Sequence, residues 1–333
     1  MSNIFKLVLS VVALVGAIGV RAASSDWPQG PIRYIVPFAP GGATDMLGRM
    51  VATGLAANLG WPVAVENKAG QGGSVGAAEL AKAKPDGYTL GGGTISSHGF
   101  NAALYLNLSY DPIRDFAPIT LLATSPNVLV VHPSLNVKTV AELIALLKAN
   151  PNKYSFGSSG NGTSQHIAGE MFKVMTNTQF QHVPYHGGSG PMLLDLLAGT
   201  TQFSFENINT TLPQIAAGNL VALAVTTSQR TQVSPDIPTM QEAGLTGYDI
   251  SSWQALFAPA GTSPAIVKRL QLEVTTILKQ PENIKKLTAL GLQPKSGTSE
   301  ELLAFLTGEI PRLADIVRKS GAKARDSVLQ KSK

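Results

Sequence analysis

The chain of 333 residues contains no cysteine. Disulfide bonds, thiolate metal ligands and cysteine nucleophiles are therefore excluded, and so is a lipid-modified cysteine that would tether the protein to a membrane. Charged residues are also few, at 14% of the chain, and the lysines and arginines are scattered rather than clustered. This distribution argues against nucleic-acid binding.

The sequence also lacks the usual spacings of metal and cofactor sites. Its histidines do not form the H-E-x-x-H pattern of a zinc site, and the one H-x-x-x-H spacing, His182 to His186, contains Pro184 and lies in a predicted strand and turn rather than on a helix. The segment from Gly41 to Asp45 lacks the lysine of a phosphate-binding P-loop and the third glycine of a dinucleotide fingerprint. We therefore expect neither a metal nor a cofactor.

A catalytic serine is considered because Gly72-Gly73-Ser74-Val75-Gly76 matches the G-x-S-x-G pattern of a hydrolase. That pattern requires a strand that ends at the serine, whereas residues 67–72 separate Ser74 from the predicted strand. The segment His186-Gly187-Gly188 resembles an esterase oxyanion loop, but it follows Ser74 instead of preceding it. We therefore expect no enzyme, and we interpret Ser74 as a helix cap.

The first 22 residues have the pattern of a secretory signal. Lys6 precedes an apolar run from Leu7 to Val20, and Arg21-Ala22 follows. A membrane anchor is the alternative, but it needs an apolar run of roughly 18 residues or more. We predict cleavage near Ala22 and a soluble periplasmic protein, because an exported chain without an anchor is retained only where an outer membrane exists.

Predicted strands alternate with predicted helices along the whole mature chain. This alternation predicts an α/β fold with parallel sheets covered on both faces, and about 311 mature residues predict two domains. Strands that cross between the domains are expected near residues 122–127 and 247–252. The predicted strands are 34–37, 63–66, 88–90, 128–131, 154–156, 181–184, 203–205, 220–225 and 252–258, and the predicted helices are 45–59, 75–83, 140–149, 164–175, 191–198, 264–278 and 300–318.

Three glycine-rich turns each connect a predicted strand to a predicted helix. They lie at Phe38–Asp45, Ser158–His166 and Tyr185–Pro191. Glycines leave backbone amides uncovered, and a helix N-terminus adds about half a positive charge, so such a turn can bind an anion without a basic side chain. Each turn could be a simple connection, but three in one chain favour the walls of one cleft for an acidic small molecule.

The sequence resembles the periplasmic solute-binding receptors of tripartite tricarboxylate transporters, known as the Bug family. The similarity extends over nearly the whole mature chain, in the family's order. It is carried by Val36-Pro-Phe-Ala-Pro-Gly-Gly-Ala-Thr-Asp45, Val65-Glu-Asn-Lys-Ala-Gly-Gln-Gly-Gly73, Lys84-Pro-Asp-Gly-Tyr-Thr-Leu90, Ser158-Ser-Gly-Asn-Gly-Thr-Ser-Gln-His166, Pro184-Tyr-His-Gly187, Pro238-Thr-Met-Gln-Glu-Ala-Gly244 and Ala258-Pro-Ala-Gly-Thr262.

This resemblance implies a two-lobed, type II periplasmic binding protein that closes on its ligand. Lobe one would comprise residues 24–125 and 250–333, and lobe two residues 126–249. His186 and Glu206 stand where the family usually has lysine and aspartate. The ligand-binding residues that the resemblance implies are Phe38, Gly41, Gly42, Ala43, Thr44, Asp45, Ser158, Thr163, His166, Tyr185, His186, Gly187, Gly188 and Glu206.

Several of these residues also have a structural interpretation. Asp45 and Thr163 could each serve only as a helix cap, His166 could be a buried core residue, and Glu206 could be a solvated strand end. Trp253, at a predicted crossing between the lobes, is expected to pack rather than to stack on a ligand.

Two functions remain open at this point. The first is a monomeric receptor that delivers an organic acid to membrane permease subunits of a tripartite tricarboxylate-type transporter. The second is a receptor that passes a ligand signal to a partner such as a sensor kinase. Asp45 in lobe one is expected to face His166 or Tyr185 of lobe two across the cleft.

Overall fold

The computed structural model of the protein describes residues 27–185 and 188–322. The predicted signal, His186 and Gly187 lie outside these residues. None of the helices in the two described ranges combines the length and the apolar character that crossing a membrane requires.

The described chain alternates strands and helices, as the sequence predicts. The strands are β1 (Ile32–Val36), β2 (Val63–Asn67), β3 (Thr89–Thr94), β4 (Phe116–Val131), β5 (Ser155–Ser158), β6 (Gln181–Pro184), β7 (Phe203–Asn207), β8 (Val221–Val225), β9 (Ser251–Pro259) and β10 (Gln293–Pro294). The α-helices are α1 (Ala43–Leu59), α2 (Ser74–Ala81), α3 (Asn101–Leu104), α4 (Val140–Ala149), α5 (Ser164–Thr176), α6 (Ser189–Leu197), α7 (Ile208–Ala216), α8 (Pro264–Leu278), α9 (Pro281–Ala289) and α10 (Ser299–Ser320).

The strands form one sheet in the order β2-β1-β3-β9-β4-β7-β5-β6, with β8 and β10 paired to β4. Parallel pairs build its two outer parts, where β1 pairs with β2 and β3, and β5 pairs with β6 and β7. The long strands β4 and β9 pair antiparallel between them. The chain thus has the predicted α/β architecture, with the parallel strands flanked by helices.

Strand β4 divides the sheet into two halves. Its residues from Phe116 to Pro126 pair with β9, and its residues from Asn127 to Val131 pair with β7. We call β1–β3, β9, β10 and their helices the first half, and β5–β8 with α4–α7 the second half. The change of partner falls beside the lobe boundary expected after residue 125, and the exact lobe limits stay a prediction.

Local sequence signals explain where several helices begin and end. In α1 the buried side chains Leu47, Val51 and Leu55 form the predicted stripe, and Gly60 ends the helix with a φ of 74°. Thr139 and Thr298 form the two predicted capping boxes.

The interpretation of Ser74 as a helix cap is wrong. Ser74 is the first residue of α2, and the N-cap position before it is held by Gly73. The Ser74 hydroxyl instead accepts a hydrogen bond from Asn101 Nδ2 at 2.8 Å. Its role is therefore to connect the start of α2 to α3.

The structure adds elements that the sequence analysis missed. Helix α7 follows β7 directly and contains Pro213, which normally argues against a helix. Strand β4 begins at Phe116, well before the predicted start, because its first part pairs with β9 in the other half. The early start of β4 comes from tertiary pairing, which local propensity does not report.

The long C-terminal helix α10 connects the two halves. It packs against α5 of the second half and against the helical segment Ser96–Phe100 of the first half. The largest apolar core contains buried residues of both halves. Trp253 is buried within β9 and packs edge-on against Phe305 of α10, as expected.

Candidate ligand-binding cleft

A cavity of about 280 Å³ lies between the two halves. We call it the inner cavity. The described residues that line it include no Asp, Glu, Lys, Arg or His. From the first half they are Phe38, Ala39, Pro40, Gly41, Gly42, Ala43, Thr44, Thr94, Ile95, Ser96, Ser252 and Gln254, and from the second half Ser159, Thr163, Ser164, Gln165, Gly188, Ser189, Gly190, Leu193, Asn207 and Thr210.

Four helices begin at the inner cavity. The N-cap residues of α1, α5, α6 and α7 are Gly42, Thr163, Gly188 and Asn207, and all four line the cavity wall. The first backbone amides of a helix have no partner within it, and each N-terminus carries about half a positive charge. Because α1, α6 and α7 have no side-chain cap, their first amides are available to a ligand.

Asp45 organises the first-half loop instead of lining the cavity. Its Oδ2 accepts from the Gly41 amide at 3.0 Å, and its Oδ1 accepts from Asn67 Nδ2 at 2.9 Å. Arg49 Nε donates to both carboxylate oxygens at 3.1 Å. Burial opposes ionisation of Asp45, but the hydrogen bonds from Arg49, Gly41 and Asn67 together hold its pKa below the ordinary value. Asp45 therefore acts as a charged support behind the glycine turn.

Glu206 connects three helix N-termini of the second half. Its Oε1 accepts from the Asn207 amide at 2.7 Å, from Gln165 Nε2 at 3.0 Å and from Ser189 Oγ at 3.2 Å. Those donors lie at the starts of α7, α5 and α6 and line the cavity. Burial raises the pKa of Glu206. The interpretation of Glu206 as a solvated strand end is wrong, because the side chain is completely buried.

Three further predicted contacts lie behind the cavity wall. Ser158 Oγ lies 2.6 Å from His182 Nε2 and donates to the Gly160 carbonyl. Tyr185 donates to Asp195 Oδ2 at 2.5 Å, and burial is the main reason that its pKa is raised to about 12. His166 stacks on His182 with ring centroids 4.3 Å apart.

The expected arrangement of Asp45 opposite His166 or Tyr185 is therefore not found. Asp45 and Tyr185 are engaged by neighbours in their own halves, and His166 lines a separate cavity together with Glu170, Lys173 and His182. The residues that do line the inner cavity as predicted are Phe38, Gly41, Gly42, Ala43, Thr44, Thr163 and Gly188.

His166, Glu170 and His182 place potential metal-ligand atoms within 4.8 Å of one another, which histidine spacing alone did not indicate. Two features oppose a metal there. Lys173 Nζ already donates to Glu170 Oε1 at 2.8 Å, and the stacked rings differ by only 12° in plane, so their nitrogen lone pairs lie in two nearly parallel planes that do not converge on one ion. Burial, with a smaller effect of Lys173, lowers the pKa of His166 to about 4.

The two halves approach each other closely at glycines. A Cβ added to Gly162 would lie 2.3 Å from Asn101 Oδ1, and one added to Gly72 would lie 2.8 Å from the Asn161 carbonyl oxygen. Tyr105 also donates to the Asn161 carbonyl at 3.4 Å. The cleft is therefore bridged by direct contacts between the halves in this structure.

Sequence reasoning missed cavity residues at the ends of two strands. Thr94 ends β3, and Asn207 ends β7. Ligands of open α/β sheets bind beyond the carboxyl ends of parallel strands, so the strand ends were the available signal. Ser252 and Gln254 had no such signal, because they lie within β9 and reach the cavity through the crossing of the halves.

A two-halved α/β fold with a cavity at converging helix N-termini defines the class of solute-binding proteins. The model of the tripartite tricarboxylate transporter family receptor matches residues 47–322. The chain is 35% identical to the protein BugT of Bordetella pertussis over 329 residues, which cover 97% of this chain and 100% of that protein.

Solved structures agree with this result. The chain is similar to Rpa4515 of R. palustris with adipate, with 36% identity, a TM-score of 0.86, and coverage of 89% of this chain and 99% of the other. It is also similar to MatC from Rhodopseudomonas palustris with bound malate, with 32% identity, a TM-score of 0.83, and coverage of 87% and 100%. The chain belongs to the tripartite tricarboxylate transporter receptor family, which confirms the resemblance.

The role of Asp45 predicts that the Asp45→Asn variant loses stability in a pH-dependent way. The pKa of Asp45 is lower in the folded state than in the unfolded state, where it is about 3.9. The carboxylate therefore contributes its full stabilisation above the unfolded-state pKa, and this stabilisation is lost as the pH falls through the folded-state pKa. Urea unfolding should show the Asp45→Asn variant to be less stable than the native protein at pH 7, with the difference shrinking below about pH 4. The exposed Asp236→Asn is the control, and an equal loss in both variants at pH 7 would contradict the role.

Glu206 predicts the opposite pH dependence. Burial raises the folded-state pKa of Glu206, so folding favours its protonated form. The native protein should therefore lose stability relative to the Glu206→Gln variant as the pH rises above the unfolded-state pKa of about 4.3. Glu206→Leu leaves its donors unsatisfied and should lose about 1–3 kcal/mol relative to Glu206→Gln. Urea unfolding from pH 4 to 8 measures both effects, and equal stability of the Gln and Leu variants would refute the role of Glu206 as a shared acceptor.

Proposed function

We propose that this protein is a periplasmic receptor that captures a small organic carboxylate between its two halves. It then delivers the ligand to membrane permease subunits of a tripartite tricarboxylate-type transporter. The observation that carries the proposal is the convergence of four helix N-termini on one cavity. Its family consists of receptors, so the proposal includes no catalytic step.

The chemistry of the inner cavity favours a carboxylate over a sugar or a cation. Uncapped helix amides donate hydrogen bonds and carry partial positive charge, which stabilises an anion. No described lining residue has a carboxylate that would attract an ammonium group. Two structurally similar relatives hold adipate and malate, both of which are carboxylates.

In this proposal the contacting residues and the supporting residues form two layers. The loop Phe38–Thr44, Thr163 and the segment starting at Gly188 contact the ligand, while Asp45 and Glu206 hold those segments in place. His186 and Gly187 belong to the same predicted loop and stay predicted ligand contacts. The periplasmic location follows from the family and from the predicted signal.

The ligand class is tested by a thermal-shift screen of small organic acids, sugars and amino acids. A ligand present at a hundredfold its dissociation constant should add about 2.7 kcal/mol of stability. We expect mono- or dicarboxylates to raise the melting temperature, whereas neutral sugars should not. Stabilisation by sugars or cationic amino acids, with none by any carboxylate, would refute the proposal.

Closure of the cleft is tested by Gly162→Ala. Asn101 cannot yield to the new Cβ, because its Nδ2 is fixed by Ser74 Oγ and by the carbonyls of Gln71 and Gly72. The halves should therefore be held apart, and affinity for a carboxylate found in the screen should fall at least about tenfold, or about 1.4 kcal/mol.

Gly218→Ala is the matched control for this variant. Gly218 has a φ of 76°, against 80° at Gly162, but a Cβ there meets no atom within 4 Å. Both variants should lose similar stability from backbone strain, and only Gly162→Ala should lose affinity in calorimetric titration. If the two variants bind equally well, contact between the halves at Gly162 is not needed for binding.

A further inference from the structure

A second chamber of about 590 Å³ lies beside the inner cavity. We call it the outer chamber. Both spaces are lined by Phe38, Ala39, Ser159 and Gly188, so the two are neighbours along the same cleft. The outer chamber is formed by residues 69–74 and 105–109 of the first half and by residues 159–161, Pro184 and Gly188 of the second.

The outer chamber is present although the halves already touch. The approach of Gly72 to the Asn161 carbonyl and the hydrogen bond from Tyr105 to that carbonyl both involve residues of its wall. A Cβ at Gly188, where the two spaces meet, would lie 3.3 Å from the Ala39 side chain. The chamber is therefore a feature of the bridged cleft and does not depend on wide separation of the halves.

The described lining of the outer chamber carries no charge and therefore fits a neutral group. Its larger apolar side chains are Phe38, Tyr105, Leu106, Leu108 and Pro184, and its neutral polar side chains include Gln71, Asn107 and Asn161. Leu106 is almost fully exposed, so an apolar group that contacts it would remove part of its apolar surface from water. No side chain among these lining residues offers a countercharge to a second ionised group.

The inner cavity and the outer chamber differ in volume, and this difference indicates which part of a ligand each could hold. Small-molecule sites usually enclose about 300–1,000 Å³. At roughly 30 Å³ for each water-sized group, the inner cavity of about 280 Å³ holds a carboxylate head and about six further atoms, and the outer chamber is about twice as large. A ligand that fills both must extend past Phe38.

We propose that this receptor binds a carboxylate with a neutral apolar or aromatic tail, whose head occupies the inner cavity and whose tail passes Phe38 into the outer chamber. This inference rests on the proposed function and narrows its ligand class. The helix N-termini bind the head, and Phe38, Tyr105, Leu106 and Leu108 contact the tail.

The test compares butanoate, 4-phenylbutanoate and adipate by calorimetric titration of the mature protein. Burial of one methylene group strengthens binding roughly fourfold. A phenyl tail that is partly buried in the outer chamber should therefore bind on the order of thirtyfold more tightly than butanoate. Adipate, whose second carboxylate would meet no countercharge among the described lining residues, should bind more weakly than 4-phenylbutanoate.

Two variants locate the tail. Ala69→Trp should fill the outer chamber, because Ala69 is an exposed residue of its wall and does not line the inner cavity. This substitution should remove most of the higher affinity for 4-phenylbutanoate over butanoate, and it should leave the affinity for butanoate unchanged. Leu106→Ser should reduce that advantage by several-fold without loss of stability, since its side chain is exposed. The control Ala102→Trp, exposed on α3 and outside both linings, should change neither ligand.

The outcomes separate the inference from the proposed function. The tail assignment is overturned if the protein binds butanoate and 4-phenylbutanoate with equal affinity, or if Ala69→Trp lowers the affinity for both ligands equally. Either result leaves the proposed function as a carboxylate receptor unaffected. Preference for adipate over 4-phenylbutanoate also overturns it and assigns the outer chamber to a second carboxylate. If the wider screen finds no carboxylate of any length that binds, the proposed function itself fails.

Discussion

The cleft depends on holding four helix N-termini around one small space without placing a charged side chain in its described wall. Helix N-termini carry partial charges of the same sign and repel one another, so they must be anchored from behind. Glu206 anchors three of them by accepting hydrogen bonds from Gln165, Ser189 and the Asn207 amide. On the opposite wall, Asp45 anchors the glycine turn before α1 through the Gly41 amide. Both carboxyl groups thus stabilise segments that face the cavity from positions behind its wall.

The amino-acid sequence was sufficient for the parts of the fold that are locally encoded. The alternation of apolar strands and amphipathic helices predicted the α/β architecture, and Thr139 and Thr298 marked their helix starts through capping boxes. The glycine turn at Gly41 and Gly42 and the hydroxyl cap Thr163 were predicted at the site, and the structure places them on the cavity wall. In each case a short segment carries the whole signal, because backbone conformation and capping involve only neighbouring residues.

The roles of the ionisable and aromatic residues could not be derived in this way. Asp45, His166, Tyr185 and Glu206 have the chemistry of ligand contacts, but each is turned toward a partner within the protein. Glu206 is the clearest case, since a glutamate at the end of a strand is usually solvated, whereas here the start of α7 and the side chains of α5 and α6 enclose it. Strand pairing between β4 and β9 likewise depends on residues more than a hundred positions apart.

A cavity that binds an anion through helix ends must also exclude water, because the partial charges of a helix act strongly only within its first turn. The glycines at 72, 162 and 188 meet this need, since they let the backbone of one half come within contact distance of the other. A larger residue at any of these positions would hold the walls apart and let water compete for the amides. Gly72 and Gly188 also line the outer chamber, so contacts that would seal the proposed carboxylate site also limit the width available to whatever extends from it. In the proposed receptor, affinity for the acidic head and selectivity for the rest of the ligand are therefore set by one group of backbone contacts.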